Sequence, residues 1–193
     1  MIMKLALLAA LSAFAVIFTG CLTSESKEYR FKVNPDGSGT GTITFVNIVS
    51  QNDEGKDVSQ KDFGDLVNNY LTGSGFEDAN PQYQVTSKRL YEQDGKLMGD
   101  VEFTFTSLDS FGFFRKSGCD CCPVLLYCKA FDEAYAASNG KYLGENSATP
   151  FIQWEPGTTE FTVRTSILGD LSNTHALLAL WQDWKSKGPN DKE

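Results

Sequence analysis

One histidine stands in 193 residues, and that scarcity excludes several chemistries. Multi-histidine metal sites are impossible, and a Ser-His-Asp arrangement has a single possible centre, His175. Positive charge is also short. The chain has 17 Lys and Arg against 25 Asp and Glu, a formal charge of −8. No basic footprint for DNA or RNA is present, which argues against a nucleic-acid partner. Anionic lipid headgroups would repel the body of the protein, so any membrane attachment needs a device other than a polybasic patch. No internal repeat and no linker demanding two domains is visible. The remainder is ordinary globular composition: 41% hydrophobic, 12% aromatic and 22% charged. That excludes disordered, collagenous and polytopic membrane classes. About 170 residues remain beyond the N-terminal segment, enough for a real core.

Met1 to Lys4 carries one positive charge, and Leu5 to Phe18 is apolar apart from Ser12. That run is short for a bilayer span and suits the h-region of a secretory signal. It ends in Phe18-Thr19-Gly20-Cys21. Small residues before a cysteine resemble the lipobox of bacterial lipoproteins, with Phe18 where leucine is usual. The resemblance implies that residues 1–20 are a signal peptide removed by signal peptidase II, and that Cys21 carries a diacylglycerol thioether and an acylated amine. Multiple chains hold a membrane firmly where one binds reversibly. Residues 21–28 then read as the lipidated cysteine and a polar tether reaching at most about 25 Å. Leu22 stands where inner-membrane-retained enterobacterial lipoproteins have aspartate. This implies an exported protein on the outer membrane if its host is Gram-negative.

Residues 29–185 read as one α+β domain: an antiparallel sheet built from hairpins, with two amphipathic helices packed on it. Tyr29, Phe31 and Val33 alternate with polar residues, and Thr40 to Val49 resumes strand character. Tyr83 to Glu92 and Leu97 to Thr106 predict a hairpin around Asp94-Gly95. Phe151 to Glu155 and Thr159 to Ile167 predict another around Pro156-Gly157, a type II turn pair. Ser59 is placed to cap a helix to Leu71, with Phe63, Leu66, Val67, Tyr70 and Leu71 on one face. A last helix is expected from Ser172 to Trp184, with Leu177, Leu180, Trp181 and Trp184 on one face. Residues 186–193 read as a loose tail. Val33 with Asp36-Gly37-Ser38-Gly39 between two strands is similar to the mycobacterial LppM-like lipoprotein domain, which implies an envelope role without a defined chemistry.

Cys119, Cys121, Cys122 and Cys128 are the most unusual cluster. Export would bring them to an oxidising compartment, and four cysteines allow three connectivities. A Cys121–Cys122 bridge would be strained. Zinc ligation and a redox-active Cys119-x-x-Cys122 compete with structural disulfides. Against zinc stands the compactness of the stretch, and against redox activity the lack of a βαβ unit. Asn34 to Gly39 resembles half of a calcium loop, but the twelfth position is Phe45, so a plain turn is expected. His175 is expected on the solvated side of the last helix. Asp53, Glu54 and Asp57 form a charged loop. Trp154, Trp181 and Trp184 suit stacking or core, and Phe111, Phe113 and Phe114 suit core or a partner surface. We assign no cofactor, metal or catalytic residue from the sequence. The expectation is a lipid-anchored envelope protein whose non-catalytic domain binds or scaffolds an envelope protein or small ligand. The alternatives are an envelope hydrolase using carboxylates and a metal or redox protein using the Cys119–Cys128 cluster.

Overall fold

The computed structural model describes residues 21–128, 133–144 and 150–188. The expected signal peptide, residues 1–20, and the tail from residue 189 lie outside the described residues. The elements, in chain order, begin with β1 (Leu22–Val33) and β2 (Gly39–Gln51). Then come α1 (Ser59–Asp65), continued by a wider π-helical turn (Leu66–Leu71), and α2 (Gly75–Ala79). Next are β3 (Gln84–Gln93), β4 (Lys96–Phe105), β5 (Phe113–Phe114), β6 (Val124–Tyr127), β7 (Ala134–Ser138) and β8 (Lys141–Tyr142). The last are β9 (Phe151–Trp154), β10 (Glu160–Ser166), β11 (Thr174–Ala176) and α3 (Leu178–Ser186). The chain is thus mostly antiparallel sheet with few helices, an α+β mix.

The large sheet runs β3-β4-β2-β1-β10-β7, with β11 pairing the far end of β2. The small sheet runs β5-β6-β9-β8. In the large sheet the odd residues Tyr29, Phe31, Ile43, Phe45, Val101, Phe103, Phe105, Phe161 and Val163 are buried. Phe31 is the hub, with the rings of Phe103, Phe105, Phe111 and Phe113 at 5.2–6.0 Å. Such edge-on and tilted contacts suit the ring quadrupole. Gly39 and Gly41 of β2 make room for them. A Cβ at Gly41 would lie 2.2 Å from Phe103 Cζ, and one at Gly39 2.5 Å from Phe105 Cζ. Phe113, Trp154 and Phe161 lock the small sheet onto the large one at 5.2–5.6 Å.

The β1–β2 and β3–β4 hairpins stand where the alternation placed them. Asp94 and Gly95 both have positive φ, the conformation that a two-residue hairpin turn requires. Four expectations are corrected. Residues 22–28, read as a tether, are the first half of β1, in register with Thr44–Ser50 of β2. Of their buried positions, Leu22, Ser24 and Lys27, two are polar, so no hydrophobic alternation marks the strand. Pro156-Gly157 does form a turn, but β9 and β10 do not pair: it is a corner between sheets. Both edges of β10 are already taken by β1 and β7. Third, the helix expected from Ser172 begins at Leu178, because Thr174–Ala176 pairs with β2 instead. Last, Ser59 is not the cap of α1. The Asp57 carboxylate accepts the Ser59 N–H at 2.8 Å, and this bond holds its carboxyl below the usual range.

Candidate functional site

On the face of the large sheet that points away from the Phe31 core, antiparallel register sorts the side chains into rows. One row crosses the strands as Arg89, Asp100, Thr44, Glu28 and Arg164. Its neighbour crosses as Ser87, Glu102, Thr42, Arg30 and Thr162. All of these residues but Ser87 line an open concavity of about 540 Å³, walled on one side by Ala137 and Ser138 of β7 and by Asn139 after it. That volume falls within the range of small-molecule sites.

The two rows differ in how their polar groups are used. In the first, Arg89 donates to Asp100 Oδ2 from Nε at 3.0 Å and Nη2 at 2.6 Å. Thr44 donates to the other Asp100 oxygen at 2.8 Å, and Tyr91 does so at 3.2 Å. The Asp100 carboxylate raises the Arg89 guanidinium above its usual range. Burial, then Asp100, raises the Tyr91 hydroxyl. Arg164 pairs with Glu28. In the second row, the side chains of Glu102, Thr42, Arg30 and Thr162 make no hydrogen bond or ion pair with any described residue. Arg30 and Glu102 sit two strands apart, about 10 Å between backbones. A cation and an anion without hydrogen-bonded partners, separated by the Thr42 hydroxyl, therefore occupy the floor of the concavity, and the Glu102 charge is also felt by Arg89. Asn139 stiffens its wall: Oδ1 accepts the indole N–H of Trp154 at 2.7 Å and the backbone N–H of Thr162 at 2.9 Å.

The sequence showed these residues as the polar half of an alternation. It could not show which of them spend their charges on one another.

Cys119, Cys121 and Cys122 lie elsewhere, on the loop joining β5 to β6, and Cys128 directly follows β6. Cys119 and Cys122 form a disulfide, one of the pairings left open by the sequence. Cys121 is exposed and free, with Sγ 3.3 Å from Cys119 Sγ. Cys119, Cys121 and Cys122 are the one cluster of potential metal ligands among the described residues, their sulfurs within 4.8 Å. Cys128 is not part of it. That thiol is buried, and burial pushes it up to about 11. Cys21 is half-buried, its carbonyl accepting the Gln51 N–H at 2.7 Å.

His175 stands on β11 rather than on a helix, with Nε2 2.7 Å from Asn52 Oδ1 and Nδ1 3.4 Å from Asp57 Oδ2. Asp53 closes a tight turn onto Lys56, with Glu54 and Gly55 at its tip in positive φ. Asn34 to Gly39 is a hairpin turn, in which Asp36 accepts from the Ser38 backbone and hydroxyl at 3.0 and 2.6 Å. Trp154 and Trp181 are core, and Trp184 is packed against it. Phe111 and Phe113 are buried, whereas Phe114 is exposed. No helix among the described residues is long and apolar enough to cross a membrane. Compared with family models, curated proteins and solved structures, the chain matches none.

Proposed function

We propose that this chain is a lipid-anchored envelope protein, with lipid on Cys21, whose large sheet binds a small zwitterionic ligand without catalysing its conversion. Helices 59–71 and 178–186 act as amphipathic covers of the opposite, apolar face. The Thr19-Gly20-Cys21 motif supports the anchor, and the likeness of Val33 and Asp36–Gly39 to LppM-like domains agrees with an envelope role.

The observation that carries the binding reading is the contrast between adjacent rows. Arg89 is paired with Asp100 and Arg164 with Glu28, while the side chains of Glu102, Thr42, Arg30 and Thr162 make no hydrogen bond or ion pair among the described residues. A ligand carboxylate suits the planar fork of Arg30, and a ligand ammonium suits Glu102. Two residues of extended peptide span about 7 Å, within reach of both. Binding rather than hydrolysis is supported by Asp100 and Glu28, each engaged by an arginine rather than facing another carboxylate as an acid and base would.

The test is titration with L-alanyl-L-alanine, followed by backbone amide shifts. Shifts should concentrate on Thr42, Arg30, Glu102 and Thr162. Arg30→Ala and Glu102→Gln should each weaken binding about tenfold or more, the worth of a charge-assisted hydrogen bond. Binding unaffected by both substitutions, or no binding, rejects the zwitterion site. The anchor is tested separately by intact mass: residues 1–20 lost and acyl mass on Cys21, with Cys21→Ser releasing the protein from membranes.

A further inference from the structure

We propose that the Cys119-Asp120-Cys121-Cys122 loop is a thiol–disulfide exchange site, in which Cys121 displaces Cys122 from Cys119 and the freed thiol takes small disulfides as substrate. Three observations place the reacting atoms. The disulfide joins Cys119 to Cys122. The Cys121 thiol is exposed, and its sulfur lies 3.3 Å from Cys119 Sγ. All three sulfurs lie within 4.8 Å of one another. A thiolate is the attacking species, and exposure gives it access to solvent and to a second molecule.

The loop is built to hold this arrangement. Cys119 N–H donates to the Lys116 carbonyl and Cys122 N–H to the Cys119 carbonyl, each at 3.2 Å, so successive turns fold the cysteines onto one another. Gly118 has φ +72, a conformation costly for any residue with a Cβ. Pairing of Phe113 with Leu126 and Phe114 with Leu125 closes the loop at its base. Changing the bridge inside the loop therefore leaves the two sheets untouched.

The internal step balances without an oxidant. The Cys121 thiol gives its proton to water, and its thiolate attacks Cys119 Sγ. The Cys119–Cys121 bond forms as the Cys119–Cys122 bond breaks, and Cys122 leaves as a thiolate that takes up a proton. Attack on Cys122 instead would make a vicinal bridge, whose geometry is strained. The free thiol of either isomer then attacks a small disulfide. A mixed disulfide forms on the protein, and one small thiolate leaves. The number of disulfide bonds is unchanged.

The experiment is brief alkylation of the full chain with iodoacetamide under native conditions, acid quench and peptide mapping. Within the peptide that spans this loop, one label should be shared between Cys121 and Cys122, with none on Cys119. Label confined to Cys121 at every time and pH overturns the internal exchange. Two variants test each bond. Treated with cystine, Cys122→Ser should close a Cys119–Cys121 bridge, and free thiols at both positions reject the step. Cys121→Ser should retain the Cys119–Cys122 bridge and lose the rapid formation of a mixed disulfide with cystine in the peptide that spans this loop. Unchanged uptake in that variant refutes the substrate assignment.

Discussion

Lys27 and Glu133 form an ion pair at 2.6 Å with side chains only 3% and 7% exposed. Tyr29 donates to the same carboxylate from 3.4 Å, and Thr165 joins it. Removing one member of a buried pair costs more than the pair is worth, because the other charge is stranded. Lys27→Met should therefore destabilise the protein by about 3 kcal/mol, while Lys27→Met with Glu133→Leu should be more stable than Lys27→Met alone. Urea unfolding of both variants checks this, and a double variant weaker than the single would contradict it. The buried tyrosines set a second limit. Burial, then the nearby Glu133 charge, raises the Tyr29 and Tyr83 hydroxyls above the usual tyrosine range. A raised folded-state value means stability that is present below the unfolded value and is lost as pH climbs through the folded one. Cys128, pushed from 9.0 up to about 11, acts in the same direction. Alkaline unfolding is expected to begin above pH 9, and tyrosinate absorbance should show two of the seven tyrosines ionising only with unfolding. Early ionisation of all seven in folded protein would mean that these hydroxyls are not buried.

Elements differ in how tightly their neighbours constrain them, and glycines report it. Gly41 of β2 lies under the Phe103 ring, so Gly41→Val should cost about 2 kcal/mol by overpacking. Gly64 in α1 has open space where a Cβ would go, and Gly64→Ala should stabilise by about 0.5–1 kcal/mol. Melting temperatures moving in opposite directions would bear out both, and equal losses would place Gly64 in a contact that its surroundings do not show. The same local logic explains what was legible. Long strands with apolar alternation and an Asp-Gly turn declare themselves, as β2, β3 and β4 do. The small sheet does not, because its strands run two to four residues and are held by Phe113, Leu126, Ile152 and Trp154 packing across it. Nor does β11, where pairing with Val49, Ser50 and Gln51 overrides a helical pattern. Candidate site residues were visible as outward positions, but the free state of Arg30 depends on Arg164 and Arg89 having taken the acids beside it. That is cross-strand register, which no single strand records.

For the molecule as a whole, the decisive segment is residues 22–28, because a tether and a strand demand opposite results. As a tether these residues would be dispensable to the fold. As half of β1 they place Leu22 and Ser24 in the core, and they supply Lys27 to Glu133. They also cover the edge of β2 from Thr44 to Ser50. Arg30 stands nine residues beyond Cys21 along a continuous strand, roughly 30 Å at strand rise. The lipid proposed for Cys21 would thus connect to the concave face through a paired strand rather than loose chain. A chain beginning at Tyr29 should therefore lose its cooperative thermal transition, whereas one beginning at position 21 with Cys21→Ser should keep it. Truncation strands the Glu133 carboxylate, opens the apolar end of the core near Leu22 and Ile48, and exposes a bare edge of β2, where unpaired backbone groups invite aggregation. Circular dichroism on heating and light scattering read the two effects. An unchanged transition in the shorter chain would restore the tether and detach the groove from any fixed position relative to the anchor.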